Sequence, residues 1–304
     1  DVQQVEVLRG PQAGAFGANA AGGVVKIVSN EPTSYWTGQT EATIGNDGLY
    51  QVGLAIGGPL LEQSPESLTF RFSINTLSQD GFRENEFLND DETNERDELG
   101  SRLRLRWLPN ELWSFEAGLI YADADNGYDE FNLQNEAYET RSDEPGRDEQ
   151  ETAGFSLKAK YGGFDRVEIS YTGQITDSDS LYSYDSDWSN PVAKDPNLPG
   201  NYAAFLASER EREVHSHELR FDSREREDAL GWIDRWTLGL YLHELDEAAT
   251  IRYEENFSSF LEDALVRSDY ESESLAVFTQ FSHDFSDRTR LIIGLRAERH
   301  EVRF

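Results

Sequence analysis

His215 and His217 carry the most recognisable metal chemistry, because two imidazoles two positions apart share one face of a strand. No third ligand accompanies them, so a wall or lumen position without metal is the expectation. The chain has no cysteine, which excludes disulfides, thiolate metal centres and cysteine nucleophiles together. Residues 84–98 hold eight carboxylates against Arg96, and residues 123–151 hold eleven against Arg141 and Arg147, giving local charges of −7 and −9. Such loops could attract a cationic ligand or divalent ions that bridge to lipopolysaccharide, or serve only as solvated surface. Gly10, Gly14, Gly17, Gly22 and Gly23 lack both the Lys-Ser/Thr ending of a phosphate loop and the spacing of a dinucleotide fingerprint. They read as places where the backbone needs freedom. No Ser-His-Asp order or nucleophile elbow is present, so neither an enzyme activity nor a cofactor is expected. The segment 181–212 is the better place for ligand contact, since Tyr182, Tyr184, Trp188, Tyr202 and Phe205 offer large contact area.

The elements that must position these residues follow from hydropathy of period two. Leu68, Phe70, Phe72 and Ile74 alternate with Thr69, Arg71, Ser73 and Asn75, and Leu103, Leu105 and Trp107 alternate with Arg102, Arg104 and Arg106. One greasy and one polar face per segment means strand. The pattern predicts eleven strands, near 36–46, 49–59, 67–80, 99–108, 112–125, 153–162, 166–180, 213–223, 235–252, 274–285 and 289–302. Most match the roughly 9 to 11 residues that cross a bilayer at a tilt. Pro109 to Glu111, Gly163 to Asp165 and Ser286 to Arg288 predict tight turns, whereas 81–98, 126–152, 181–212 and 253–273 predict long polar loops. Short turns on one side and long loops on the other are the habit of outer-membrane barrels. Tyr35, Trp36, Trp107, Trp113, Trp232 and Trp236 stand beside strand ends, as an interfacial aromatic girdle would. The net charge of −32 argues against nucleic acid, whose phosphates need the opposite sign. An odd strand count leaves two open edges, so the chain is read as a fragment; Phe304, out of phase with Leu291, Ile293 and Leu295, is not read as a barrel-closing residue.

Two β-branched runs, Val5 to Leu8 and Val24 to Val28, enclose the glycines and Pro11. This stretch, Val5-Glu6-Val7-Leu8-Arg9-Gly10-Pro11 followed by Phe16-Gly17, Asn19 and Gly22-Gly23-Val24-Val25, closely resembles the end of the plug of TonB-dependent outer-membrane receptors. The resemblance implies an all-β fold: about half, 11 of roughly 22 strands, of an antiparallel transmembrane β-barrel. Residues 1–33 would be the C-terminal part of the plug and 34–304 the N-terminal half of the barrel. It further implies uptake of a scarce ligand, most often a ferric siderophore, driven by the TonB-ExbB-ExbD complex across a lipopolysaccharide-bearing Gram-negative outer membrane. Cobalamin, haem and oligosaccharides use the same frame. Arg9, with Gly10 and Pro11, maps onto a plug-locking arginine that faces barrel glutamates; Gly17, Gly22 and Gly23 map onto plug backbone. Rival readings are a passive porin-like barrel without a plug, an outer-membrane enzyme on a barrel frame, and a soluble secreted β-protein.

Overall fold

The computed structural model describes residues 1–10, 22–133, 138–192, 203–224, 233–257 and 260–304. All regular structure among them is β. Strands β1 (Val2–Arg9) and β2 (Gly23–Ser29) form an antiparallel hairpin of their own. The rest run in chain order: β3 (Thr37–Ile44), β4 (Tyr50–Pro59), β5 (Leu68–Gln79), β6 (Arg83–Asn85), β7 (Asp90–Thr93), β8 (Arg96–Asn110), β9 (Trp113–Tyr128), β10 (Glu139–Thr140), β11 (Gly146–Tyr161), β12 (Val167–Asp185), β13 (Ala203–Ser223), β14 (Arg235–Phe257), β15 (Phe260–Ser286) and β16 (Thr289–Arg303). Eleven of these form one sheet in the order β3-β4-β5-β8-β9-β11-β12-β13-β14-β15-β16, every neighbour antiparallel. They are the eleven strands the alternation predicts. The three short strands β6, β7 and β10 make a separate small sheet within the long connections.

Register carries the alternation across the whole sheet. Phe72 lies opposite Leu103, Leu103 opposite Leu119, Leu119 opposite Phe155, and Phe155 opposite Ile175, so one face is apolar. The other face takes Arg71, Arg104, Gly118, Ser156 and Gln174, and Arg71 and Arg104 touch the β1–β2 hairpin. We call this hairpin-facing side inner and the apolar side outer.

A soluble sandwich would press its apolar faces together into a dry core. Here the buried apolar side chains among the described residues are four alanines, Ala55, Ala204, Ala207 and Ala276. Outer-face residues such as Leu54, Leu119, Phe155, Leu240, Leu275 and Leu295 are 43% to 62% exposed. An apolar surface of this extent needs an apolar solvent, which is what a bilayer supplies. Near the tight turns the outer face turns aromatic: Trp107 and Trp113 stack on Phe115 at 5.3 and 5.4 Å, and Tyr161 bridges Trp113 and Phe164. Trp232 of the predicted girdle lies outside the described residues.

Two sequence expectations need correction. The segment 253–273 is not a long loop: β14 and β15 remain paired as far as Phe257 opposite Phe260. Likewise 126–128, 146–152 and 203–212, expected as loop, are strand. Apolar alternation stops at the edge of the greasy band, but backbone pairing does not, because a ladder of N–H···O=C bonds is indifferent to side-chain polarity. Beyond the band the outer face becomes acidic. Asp123 faces Glu151, Glu151 faces Asp179, and Asp246 faces both Glu213 and Glu271 across adjacent strands. By contrast the β3–β4 hairpin closes tightly: Asp47 and Gly48, at φ 54° and 60°, form the turn whose twist suits a two-residue β-hairpin.

The sidedness is testable. Leu240→Arg, at the middle of the apolar band, is expected to cost about 2–4 kcal/mol in denaturant titrations of the barrel folded into bilayers. Ser216→Lys, on the inner face of the neighbouring strand, should change stability by less than about 0.5 kcal/mol. Equal costs would remove the bilayer from the outer side.

Candidate functional site

The hairpin is held against the wall by cations that sequence reasoning did not single out. Arg71, on β5, donates from Nε and Nη2 to the two carboxylate oxygens of Asp1 at 2.6 and 2.5 Å, and from Nη1 to Thr37 Oγ1 at 3.1 Å. Both partners of this ion pair have side chains under 10% exposed. Arg104, on β8, donates to the carbonyls of Ser29 and Asn30 at 3.2 and 3.0 Å. The signal for both was present only as polar-face arginines in alternating strands; what they meet is set by long-range pairing.

Arg9 ends β1, is exposed, and makes no ion pair among the described residues. Gly10 sits at φ +83° and its N–H donates to Gly22 O at 3.2 Å, which closes the hairpin end. At Gly23 a Cβ would fall 2.6 Å from Leu8 O, and φ is +149°, so a side chain there would part β1 from β2. Pro11 and Gly17 lie outside the described residues.

At the other end of the sheet the predicted ligand contacts do come together. Tyr182 and Tyr184, on β12, share the inner face with Tyr128 at the top of β9. Tyr128 packs edge-on against Tyr182 at 4.9 Å, Phe131 sits 5.8 Å from Tyr184, and Trp188 stacks on Phe131 at 5.2 Å. Tyr182, Trp188 and Phe131 remain partly exposed. Tyr128 and Phe131 were missed because neither lies in the aromatic-rich segment. Tyr202 lies outside the described residues.

A buried polar network fixes the loops that carry this cluster. Asn85, fully buried, donates to Asp129 Oδ2 and Ser142 O at 3.0 and 2.9 Å and accepts the N–H groups of Phe87 and Leu88. Thr140 donates to the same Asp129 oxygen at 2.6 Å, and Asn190 donates to Arg141 O at 2.7 Å. Asp185 Oδ1 accepts the N–H groups of Asp187 and Trp188 at 3.1 Å, while Asp187 accepts from Ala204 N at 2.7 Å. Burial, and then the adjacent Asp187 carboxylate, push the Asp185 carboxyl up to about 8. Burial likewise raises the Tyr182 phenol.

His215 and His217 do share a face, but it is the outer one. His217 Nδ1 shares a hydrogen bond with Tyr171 OH at 2.8 Å, and His215 Nε2 one with Glu213 at 2.7 Å. Among the described residues no three His, Asp or Glu side chains are grouped to hold a metal ion.

Two outcomes follow. Arg71→Ala leaves the Asp1 carboxylate buried and unpaired, which is expected to weaken hairpin docking by about 3–5 kcal/mol and to show as faster amide exchange in β1 and β2. For Asp185 the folded state binds the proton more tightly than the unfolded chain, whose carboxyl titrates near 3.9. The stability it contributes is fully present below about pH 4 and is lost as pH rises through about 8. Trp188 emission should therefore report a loosening of the cap on the alkaline side, and Asp185→Asn, which keeps the acceptor and cannot ionise, should flatten that dependence.

No family model matches the sequence. The vitamin B12 transporter BtuB of Photobacterium profundum is 29% identical over 139 residues, covering 42% of this chain and 21% of that protein. The pesticin receptor of Yersinia enterocolitica is 38% identical over 60 residues, covering 20% of this chain and 9% of that protein. The ferric yersiniabactin uptake receptor FyuA from Yersinia pestis superimposes with a TM-score of 0.74 at 16% identity, over 99% of this chain and 48% of FyuA. The chain thus spans about half the length of this solved structure and smaller shares of the two curated relatives. These relatives are transporters and receptors, not enzymes. In its fold and in the matched stretches of sequence, the chain is similar to TonB-dependent outer-membrane receptors.

Proposed function

We propose that the chain contributes the end of the plug, residues 1–33, and the first half of the barrel, residues 34–304, to a Gram-negative outer-membrane transporter. It captures a scarce ligand outside the cell, and energy from the TonB-ExbB-ExbD complex moves the plug to release it inward. The observation that carries this reading is the aromatic cluster of Tyr128, Phe131, Tyr182, Tyr184 and Trp188. It lies on the inner face, at the end of the sheet opposite the tight turns, on loops held by buried hydrogen bonds. Rigid aromatic surface at a lumen mouth suits a ligand that must be gripped and later let go.

A ferric siderophore is the cargo we favour, since FyuA takes up such a chelate. The sequence match to a vitamin B12 transporter keeps cobalamin as the second reading. A passive porin is disfavoured by the docked hairpin, which a free channel would not carry. Arg9, free of ion pairs among the described residues, is assigned the plug-locking role with Gly10 and Pro11; its partners would be carboxylates that approach it in the closed receptor.

Uptake assays of a deletion strain with ferric siderophores, cobalamin, haem and oligosaccharides identify the cargo class. In the wild-type background Trp188→Ala is expected to weaken ligand binding about tenfold or more. Arg9→Ala should alter uptake and plug release; unchanged uptake and unchanged plug stability would retire its locking role.

A further inference from the structure

We propose that the lipid-facing side of the wall holds one lipid with a zwitterionic ethanolamine headgroup, in a site built on Tyr171, His217 and Glu244. The site is independent of the uptake reading and needs only the bilayer that the outer face requires. On that face Tyr171 of β12 lies opposite Leu219 of β13, which lies opposite Leu240 of β14. One step further from the tight turns the row reads Gly173, His217 and Leu242. His217 thus stands at the upper edge of the apolar band, with leucine beside it and below it. An ionisable ring is costly against hydrocarbon, so it must be given polar partners.

Tyr171 supplies one of them. Its hydroxyl lies 2.8 Å from His217 Nδ1, and the two rings stack at 6.1 Å and 19°. The intervening glycine makes this reach possible, because a Cβ at Gly173 would stand 2.6 Å from the Tyr171 hydroxyl. With the phenol donating to Nδ1, the ring proton of His217 sits on Nε2. Nε2 has no acceptor among the described residues. Nor can plug or lumen supply one, since the ring is on the lipid side of a strand with seven strands of the sheet on one flank and three on the other. The remaining source is the lipid itself, whose phosphate and ester oxygens begin at this depth. Two residues further out, about 7 Å along an antiparallel strand, the same strands carry His215 and Glu244, directly opposite each other. His215 already shares a hydrogen bond with Glu213 at 2.7 Å, which leaves Glu244 for the ligand. Glu244 also faces Glu273 on β15, and like charges so placed repel. An ammonium between the two carboxylates removes the repulsion, whereas a second phosphate adds to it. Phosphoethanolamine carries an acceptor and, a few atoms beyond it, an ammonium, and so matches both levels of the site.

The test uses the intact protein purified from outer membranes and stripped of lipid in detergent. Native mass spectrometry follows its titration with phosphatidylethanolamine, with phosphatidylglycerol of the same acyl chains, and with the bisphosphorylated glycolipid lipid A. The wild type should retain one phosphatidylethanolamine with an affinity about tenfold or more above that for phosphatidylglycerol. His217→Leu, which completes the apolar row and should fold, is expected to lose that lipid. Gly173→Ala, which displaces the Tyr171 hydroxyl without removing a polar group, should weaken its retention. Glu244→Gln should still hold a lipid but lose the preference for ethanolamine. Heat-dependent mobility on gels identifies the folded barrel in each variant. Equal retention of the two phospholipids by the wild type overturns the site, and so does unchanged retention in folded His217→Leu. Tighter binding of lipid A than of phosphatidylethanolamine overturns the headgroup assignment.

Discussion

The constraint on which everything else rests is that no backbone N–H or C=O can face lipid without a partner. A chain that crosses by strands must pair each strand with the next, and it must do so without slipping, because a shift of one residue sends every side chain to the opposite face. Across the main sheet the irregularities in register fall beside tight turns, at Trp107/Asn110 and Asp284/Ser286, outside the central run of pairs. Leu54 on β4 and Leu295 on β16 therefore look out to the same solvent although most of the chain lies between them. A local pattern of period two becomes a global division between outside and inside.

That division sorts charge as well as grease. Within the apolar band, charged side chains must turn inward, and on β5, β8 and β11 those are mostly arginine and lysine. Above the band both faces are wet, and the outer one fills with carboxylates set directly opposite one another. Like charges in that arrangement repel. They persist because they sit in water, on strand extensions such as those of β13, β14 and β15 that need no apolar face to stay paired. The large negative charge of the chain thus belongs mainly to its exposed upper parts, and the inner wall near the hairpin has the reverse sign.

This explains what could be read from the sequence and what could not. The eleven strands, the hairpin of β1 and β2, and the turns at Pro109 to Glu111 and Ser286 to Arg288 each rest on residues within one short window. So does the pairing of Tyr182 with Tyr184, two apart on one strand. Strands were drawn too short wherever apolar alternation gave out, as at the predicted end at 180 and the predicted start at 274, because polar extensions carry no periodic signal. Asn85, Asp129 and Thr140 look like ordinary loop residues until two connections, β5 to β8 and β9 to β11, meet around them. Arg71 and Arg104 were visible as polar-face residues, but their meeting with Asp1 and Ser29 is a tertiary fact. Arg9 stood out by motif, whereas the wall contacts that hold the hairpin belong to arginines with no motif around them.

The buried network of the cap then has a reason beyond satisfying hydrogen bonds. Aromatic rings gain binding energy only if they are held in place before the ligand arrives, since ordering loops at the moment of binding consumes much of what the contacts return. Tyr128 and Tyr182 are positioned by strands, but Phe131 and Trp188 sit on connections. The hydrogen bonds of Asn85, Asp129, Asn190 and Asp185 tie those connections to one another and to the end of β12. Asp185 is the least settled member, a carboxyl kept largely protonated at neutral pH by burial next to Asp187, with one oxygen lacking a hydrogen-bond partner. If the cluster takes up and lets go of a ligand, as proposed above, it needs one joint that yields before the rest. The two backbone amides that Asp185 accepts, one of them Trp188's own, place that joint directly under the ring that closes the cluster.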